Sequence, residues 1–353
     1  MLMRLVLVIF GLLTAFIAGA QENKNPAFLG VKPQYGFIIP HSNKIRDLTH
    51  TNPFGLELEY GWTMQREENW RRCNCYSKAG FSLLHINYNN PEIIGSSSTI
   101  IAFAEPMLDF RGNFRSSLRM GVGISYLSKF YDKNSNPENL FFSTPLNFLV
   151  HLDMNLYYEI SKKYLAMGYL KYNHISNGGI EKPNKGMNFP TFGLGLQYSF
   201  KPVEYREIEK TKYTGRTIIP SAEIYGTVVN TSKINKTDSK WQIVYGAVLK
   251  TRFRVGKINA LNIGFDALFD KTKQEKGYSL FQGSFLAGHD FEFGKFIFSQ
   301  YWGTYLYAPS AEKNFYQRYS LLMKVSENFR FGVTLKAHAE VAENFNLLFS
   351  YEF

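Results

Sequence analysis

Residues 169–200 read YLKYNHISNGGIEKPNKGMNFPTFGLGLQYSF and bring together side chains that can do acyl chemistry. His174 and Ser176 are two apart, so on a β-strand both leave the same face. An imidazole in that position can take the serine proton as Oγ attacks an acyl ester. Asn188 follows a glycine-rich turn and, across a hairpin, can orient the imidazole, a role Asn plays in Cys-His-Asn enzymes. Backbone N–H groups of the Asn177-Gly178-Gly179 turn, together with the Asn184 amide, are candidates to stabilise an oxyanion. Singly, a rim histidine or a Ser-Asn-Gly-Gly turn is ordinary turn chemistry. Their conjunction carries the reading. The chemistry needs no cofactor, and no clustered Cys and His suggest a metal site. His41, His50, His85, His151, His289 and His338 lack comparable neighbours and are read as structural.

The elements that must position these groups are strands. Along 163–176, Tyr164, Ala166, Gly168, Leu170 and Tyr172 form one uncharged row that His174 and Ser176 extend, while Lys163, Lys171 and Asn173 lie on the other. Along 188–200, Asn188 opens the apolar row of Pro190, Phe192, Leu194, Leu196, Tyr198 and Phe200. Apolar rows opposite polar ones are what a membrane barrel presents to lipid and to its lumen. The three polar groups therefore converge on the outside of a barrel, near one rim. Polar groups facing lipid are costly unless they sit at headgroup level or have work to do. A bilayer-embedded ester just below the headgroups matches that position.

The rest of the chain fits this class. Period-two alternation recurs, for example over Phe54–Gln65, Phe329–His338 and Phe345–Phe353, at the length a tilted barrel strand needs. The chain contains 23 Tyr and 31 Phe, suited to aromatic girdles at both membrane interfaces. After residue 20 no apolar run is long enough for a helical span. The expected fold is all-β, an antiparallel transmembrane β-barrel of sixteen strands, with fourteen as the nearest alternative. Long segments at 41–52, 88–98, 129–145 and 177–187 are expected to be extracellular, and short ones at 112–113, 161–162, 255–257 and 326–327 periplasmic. A charged stretch, 201–216, separates an eight-strand unit at 21–200 from further strands at 217–353. One large closed barrel is favoured over two eight-stranded ones.

At the N-terminus, Arg4, the apolar run Leu5–Ile17 and Ala18-Gly19-Ala20 form a secretory signal, with cleavage expected near Gln21. Removing Arg4 lowers the formal charge from +11 to +10. The basic residues are dispersed, without a nucleic-acid-binding motif, so an anionic, phosphate-rich lipid surface is the expected partner. Cys73 and Cys75 flank Asn74; a bridge at that spacing is expected to be strained, and two thiols in or near a turn are the reading.

The stretch His174-Ile175-Ser176-Asn177-Gly178-Gly179-Ile180, continued by Pro183-Asn184, Gly186 and Asn188, resembles the active-site motif of the PagL-type lipid A deacylases, outer-membrane barrels of the acyloxyacyl-hydrolase-like family. That family uses a Ser-His-Glu triad to hydrolyse an ester-linked acyl chain on lipid A, without a metal. The resemblance implies a bacterial outer-membrane serine esterase acting on lipid A, in lipopolysaccharide, or on a related outer-leaflet lipid. It matches Ser176 to the nucleophile, His174 to the base, and Gly179 and Asn184 to positions associated with the oxyanion hole. The chain departs from the pattern in carrying Asn188 where the family has its triad Glu, with Glu181 the nearest substitute carboxylate. It is also much longer than the small family members. The alternative is a porin-like or structural barrel without catalytic activity.

Overall fold

The computed structural model describes residues 25–178, 181–205, 208–230, 241–276, 279–308, 314–338 and 341–353. The expected signal segment 1–20 and the site candidate Gly179 lie outside the described residues. Eight strands make up the first half: β1 (Ala27–Gly36), β2 (Phe54–Met64), β3 (Ser77–Asn90), β4 (Gly95–Arg111), β5 (Phe114–Leu127), β6 (Leu146–Ser161), β7 (Tyr164–Ser176) and β8 (Met187–Ser199). Eight more follow: β9 (Ile218–Asn230), β10 (Trp241–Arg254), β11 (Asn259–Asp270), β12 (Phe281–Phe293), β13 (Phe296–Tyr307), β14 (Phe315–Lys324), β15 (Phe329–His338) and β16 (Val341–Glu352).

The sixteen strands do not form the single large barrel expected from the strand pattern. β8 pairs back onto β1, with Phe28 opposite Ser199 and Tyr35 opposite Phe192. β16 pairs onto β9, and the result is two closed barrels of eight antiparallel strands each. Closure satisfies every edge, which the hydrocarbon of a bilayer demands because it offers no competing hydrogen-bond partner.

The faces are inverted relative to a soluble sheet. In β6 the outward row Leu146, Phe148, Val150, Leu152, Met154, Leu156, Tyr158 and Ile160 is exposed, while Asn147, His151, Asp153 and Asn155 are buried. An apolar skin around a polar interior is stable only with lipid outside.

The interiors are filled. In the first barrel Arg119 bridges Glu59 and Glu105, and Lys171 bonds Glu57 and reaches Asp153 at 3.5 Å. Lys32 joins Asp153 at 3.0 Å, and the His151 ring meets the same carboxylate at 2.6 Å. Buried charges persist because each is paired; losing one partner would strand the other in low dielectric. At one end an apolar plug including Ile45, Tyr88, Phe141, Phe142, Ile175, Met187 and Phe189 closes the mouth. At the other end Trp70, Tyr76 and Tyr157 pack with Tyr205 from the connection between the barrels. The second barrel repeats the arrangement with Arg318–Asp266 and with Lys250–Glu223 at 2.6 Å. Eight strands leave an interior just wide enough for side chains.

Long connections at 37–53, 128–145 and 177–186 share one rim of the first barrel, and the two-residue turns 112–113 and 162–163 lie at the other. By the asymmetry of outer-membrane barrels, the long-loop rim is the extracellular one. The connection between β2 and β3 carries a short helix, Glu67–Cys73, that ends at Asn74 in a left-handed conformation (φ 56°). This turn corrects the expectation of two free thiols. It brings the Cα atoms of Cys73 and Cys75 to 5.0 Å, and the two form a disulfide, a separation within the usual range for that bond.

Filled interiors predict no conduction. Purified protein added to planar bilayers should leave the current at baseline; stable stepwise currents would mean that a lumen is open.

Candidate active site

The site is built where the outward row of β7 turns polar. His174 sits directly opposite Asn188 on β8, so both side chains emerge on the same outer face, and Ser176 follows two residues on. The next inward residues, Ile175, Met187 and Phe189, are fully buried in the apolar plug. That anchorage holds the backbone of both strands while the polar groups point outward.

The contacts form a line. His174 Nε2 lies 3.1 Å from Ser176 Oγ, and His174 Nδ1 lies 2.6 Å from Asn188 Oδ1. An amide oxygen accepts and never donates, so Nδ1 carries the ring hydrogen. The lone pair on Nε2 then faces the serine hydroxyl, which is the arrangement a general base requires. Ser176 is 8% exposed and His174 is half-buried, so bulk water has little access from the protein side.

The turn after Ser176 is organised by its asparagines. The Asn177 N–H donates to Asn184 Oδ1 at 3.2 Å, and Asn177 Nδ2 donates to Ser143 Oγ at 3.0 Å and to the Glu181 carbonyl at 2.8 Å. With its oxygen engaged, Asn184 presents its Nδ2 at the opposite end. Gly178 has φ +66° and Gly186 φ +68°, conformations that strongly favour glycine. Gly186 has a second reason to lack a side chain: a Cβ there would stand 3.0 Å from His174 Cε1 and 3.2 Å from Ser176 Cβ.

The loop between β5 and β6 braces this turn. Lys185 N–H donates to the Leu140 carbonyl and Gly186 N–H to the Phe141 carbonyl, each at 3.1 Å. Within the loop, Asp132 accepts from the backbone and hydroxyl of Ser135 and from Asn134 N–H, which hold its carboxyl below the usual range. The second barrel also reaches this rim. Phe345 of β16 stacks on Phe148, with ring centroids 5.5 Å apart, and Phe148 lies opposite Ser176 in the β6–β7 pair.

The structure thus brings His174, Ser176, Asn188, Asn177 and Asn184 together. Glu181 does not supply the missing carboxylate: its side chain is exposed, its backbone carbonyl is what joins the turn, and Asn188 holds the His174 Nδ1 position. A residue missed in the sequence also appears. His41, in the β1–β2 connection, places Nδ1 3.5 Å from Asn188 Nδ2 and Nε2 2.9 Å from the Lys185 carbonyl. Its proximity arises because Ile39 continues the β1–β8 pairing, donating its N–H to the Asn188 carbonyl at 2.8 Å. Nothing local in the sequence signals that seam.

Two family models match the chain. Residues 54–197 match that of the lipid A 3-O-deacylase (PagL), and residues 221–353 that of the acyloxyacyl hydrolase C-terminal domain. No curated protein matches it. Among solved structures it is similar to Neisserial surface protein A at 9% identity and TM-score 0.35, covering 49% of this chain and 97% of that one. It is also similar to the outer membrane enzyme PagL at 13% identity and TM-score 0.33, covering 48% and 98%.

Gly186→Ala tests the packing of the turn on the imidazole. A displaced ring should slow hydrolysis of a p-nitrophenyl ester about tenfold or more, as small misplacements of catalytic groups do. A rate equal to the parent's would show that the close approach is unimportant.

Proposed function

With residues 54–197 belonging to the lipid A 3-O-deacylase family and residues 221–353 to the acyloxyacyl hydrolase C-terminal domain family, we propose that this outer-membrane chain is a serine esterase. Its substrate is an ester-linked acyl chain of lipid A or of a related outer-leaflet lipid. One observation carries the reading: a serine, a correctly oriented imidazole and its hydrogen-bond partner lie on the lipid-facing side of β7 and β8.

In this mechanism Ser176 Oγ attacks the ester carbonyl carbon as its proton passes to His174 Nε2. The carbonyl oxygen becomes an oxyanion, met by Asn184 Nδ2 and by the backbone N–H of Gly178. The C–O bond to the lipid then breaks, and His174 returns the proton to the departing hydroxyl. Water, deprotonated by His174, attacks the acyl-serine; the fatty acid leaves and Ser176 is restored. The substrate arrives from the bilayer, with its acyl tail beside the outward apolar rows and its polar head at the rim.

Asn188 orients the imidazole but brings no negative charge to stabilise the imidazolium that forms with each proton transfer. The rate should therefore be limited at this position, and a carboxylate should raise it. The channel reading has little support, because both interiors are occupied by paired side chains.

Mass spectrometry of lipid A from cells expressing the wild type, Ser176→Ala and Asn188→Glu tests the proposal. The wild type should remove one acyl chain, Ser176→Ala none, and Asn188→Glu a larger fraction than the wild type. Unchanged lipid A in all three strains, with each protein inserted, would refute lipid A as the substrate.

A further inference from the structure

Asparagine beside a catalytic histidine raises a specific difficulty. An amide has an accepting end and a donating end, and the wrong end toward the imidazole selects the wrong tautomer. In a serine protease, Asn in place of the aspartate lowers turnover about 10⁴-fold for this reason. If Asn188 turned its Nδ2 toward His174, Nδ1 would have to be the lone-pair nitrogen and Nε2 would carry hydrogen toward Ser176. Such a ring cannot accept the serine proton. Something must hold the amide in its productive orientation.

We propose that His41 is a positioning residue that sets the Asn188 amide and, through it, the tautomer of His174. The inference rests on the esterase reading of the same site and deepens it. The reasoning starts at the Lys185 carbonyl, which can only accept. His41 Nε2, 2.9 Å away, therefore donates its hydrogen there. A neutral imidazole has one ring hydrogen, so Nδ1 holds a lone pair, and that lone pair faces Asn188 Nδ2 at 3.5 Å. The approach of the same Nδ1 to the Ile39 carbonyl, 3.4 Å, is a donor contact only in the cation.

With its Nδ2 satisfied by His41, Asn188 turns Oδ1 to His174 Nδ1 at 2.6 Å, and Nε2 is left to Ser176 at 3.1 Å. Every hydrogen in the series runs one way, from Ser176 through His174, Asn188 and His41 to the Lys185 carbonyl. Reversing the amide would set two acceptors, Asn188 Oδ1 and the His41 Nδ1 lone pair, against each other, and relieving that clash would require His41 to change tautomer, which its bond to the Lys185 carbonyl opposes. The oriented series supplies geometry in place of a negative charge. A glutamate at 188 would present two equivalent oxygens and would need no such guide.

His41→Phe removes both ring nitrogens at similar volume, and His41→Gln keeps a donor and an acceptor. Acyl release should fall about tenfold or more in His41→Phe and less in His41→Gln. In the Asn188→Glu background, His41→Phe should cost much less than in the wild type. A merely structural role would lower both backgrounds equally, and that result would overturn the proposal. Nitrogen-15 NMR of the histidine rings, in detergent-solubilised protein, reads the tautomer without reference to activity. His174 should carry hydrogen on Nδ1 in the parent and lose that preference in His41→Phe; retention of it would also overturn the proposal. Undiminished acyl release by Ser176→Ala would defeat the esterase reading, while the NMR result would still decide the role of His41.

Discussion

Closure of β8 onto β1 is the constraint from which the rest of the first barrel follows. An eight-stranded circle is narrow enough for its own side chains to fill, and here they do. The lumen therefore became a packed core, with Arg119, Lys171 and Lys32 neutralised by Glu59, Glu105, Glu57 and Asp153. With the inside occupied, the proposed chemistry falls on the outside, where the neighbours are lipids. The same closure brings the β1–β2 connection beside β8, which is how His41 reaches Asn188.

The site's rigidity has an equally direct cause. Alternate residues of a strand point to opposite faces, so each polar residue of the site is flanked by a residue buried in the extracellular plug. Ile175 lies between His174 and Ser176, and Asn188 between Met187 and Phe189. A plug of apolar side chains thus steadies an outward hydrogen-bond series that the lipid itself could not support. The second barrel closes by the same rules. It meets the first at Phe345 against Phe148, and at Lys257 Nζ, which donates to the Arg71 carbonyl at 2.6 Å. One of these contacts lies beside Ser176, which gives the longer chain a wall next to the site.

Much of this was legible in the sequence because membrane strands expose their pattern residue by residue. The sixteen strands, the outward row of β7 and the shared face of His174, Ser176 and Asn188 followed from period-two alternation alone. Closure was less legible. Pairing of β1 with β8, rather than a continued sheet, is a long-range choice to which strand alternation is blind. His41 was missed for the same reason, since 147 residues separate it from Asn188. The cysteine reading failed on a local detail: the left-handed Asn74 draws Cys73 and Cys75 into bonding range.

The central claim is that the outward-facing Ser176 is the nucleophile. The most direct measurement is titration with a lipophilic fluorophosphonate, following the modified peptide by mass spectrometry and acyl release in parallel. The account predicts that the label lands on Ser176 and that acyl release falls in proportion to the labelled fraction. Acyl release that persists with Ser176 fully modified would contradict it.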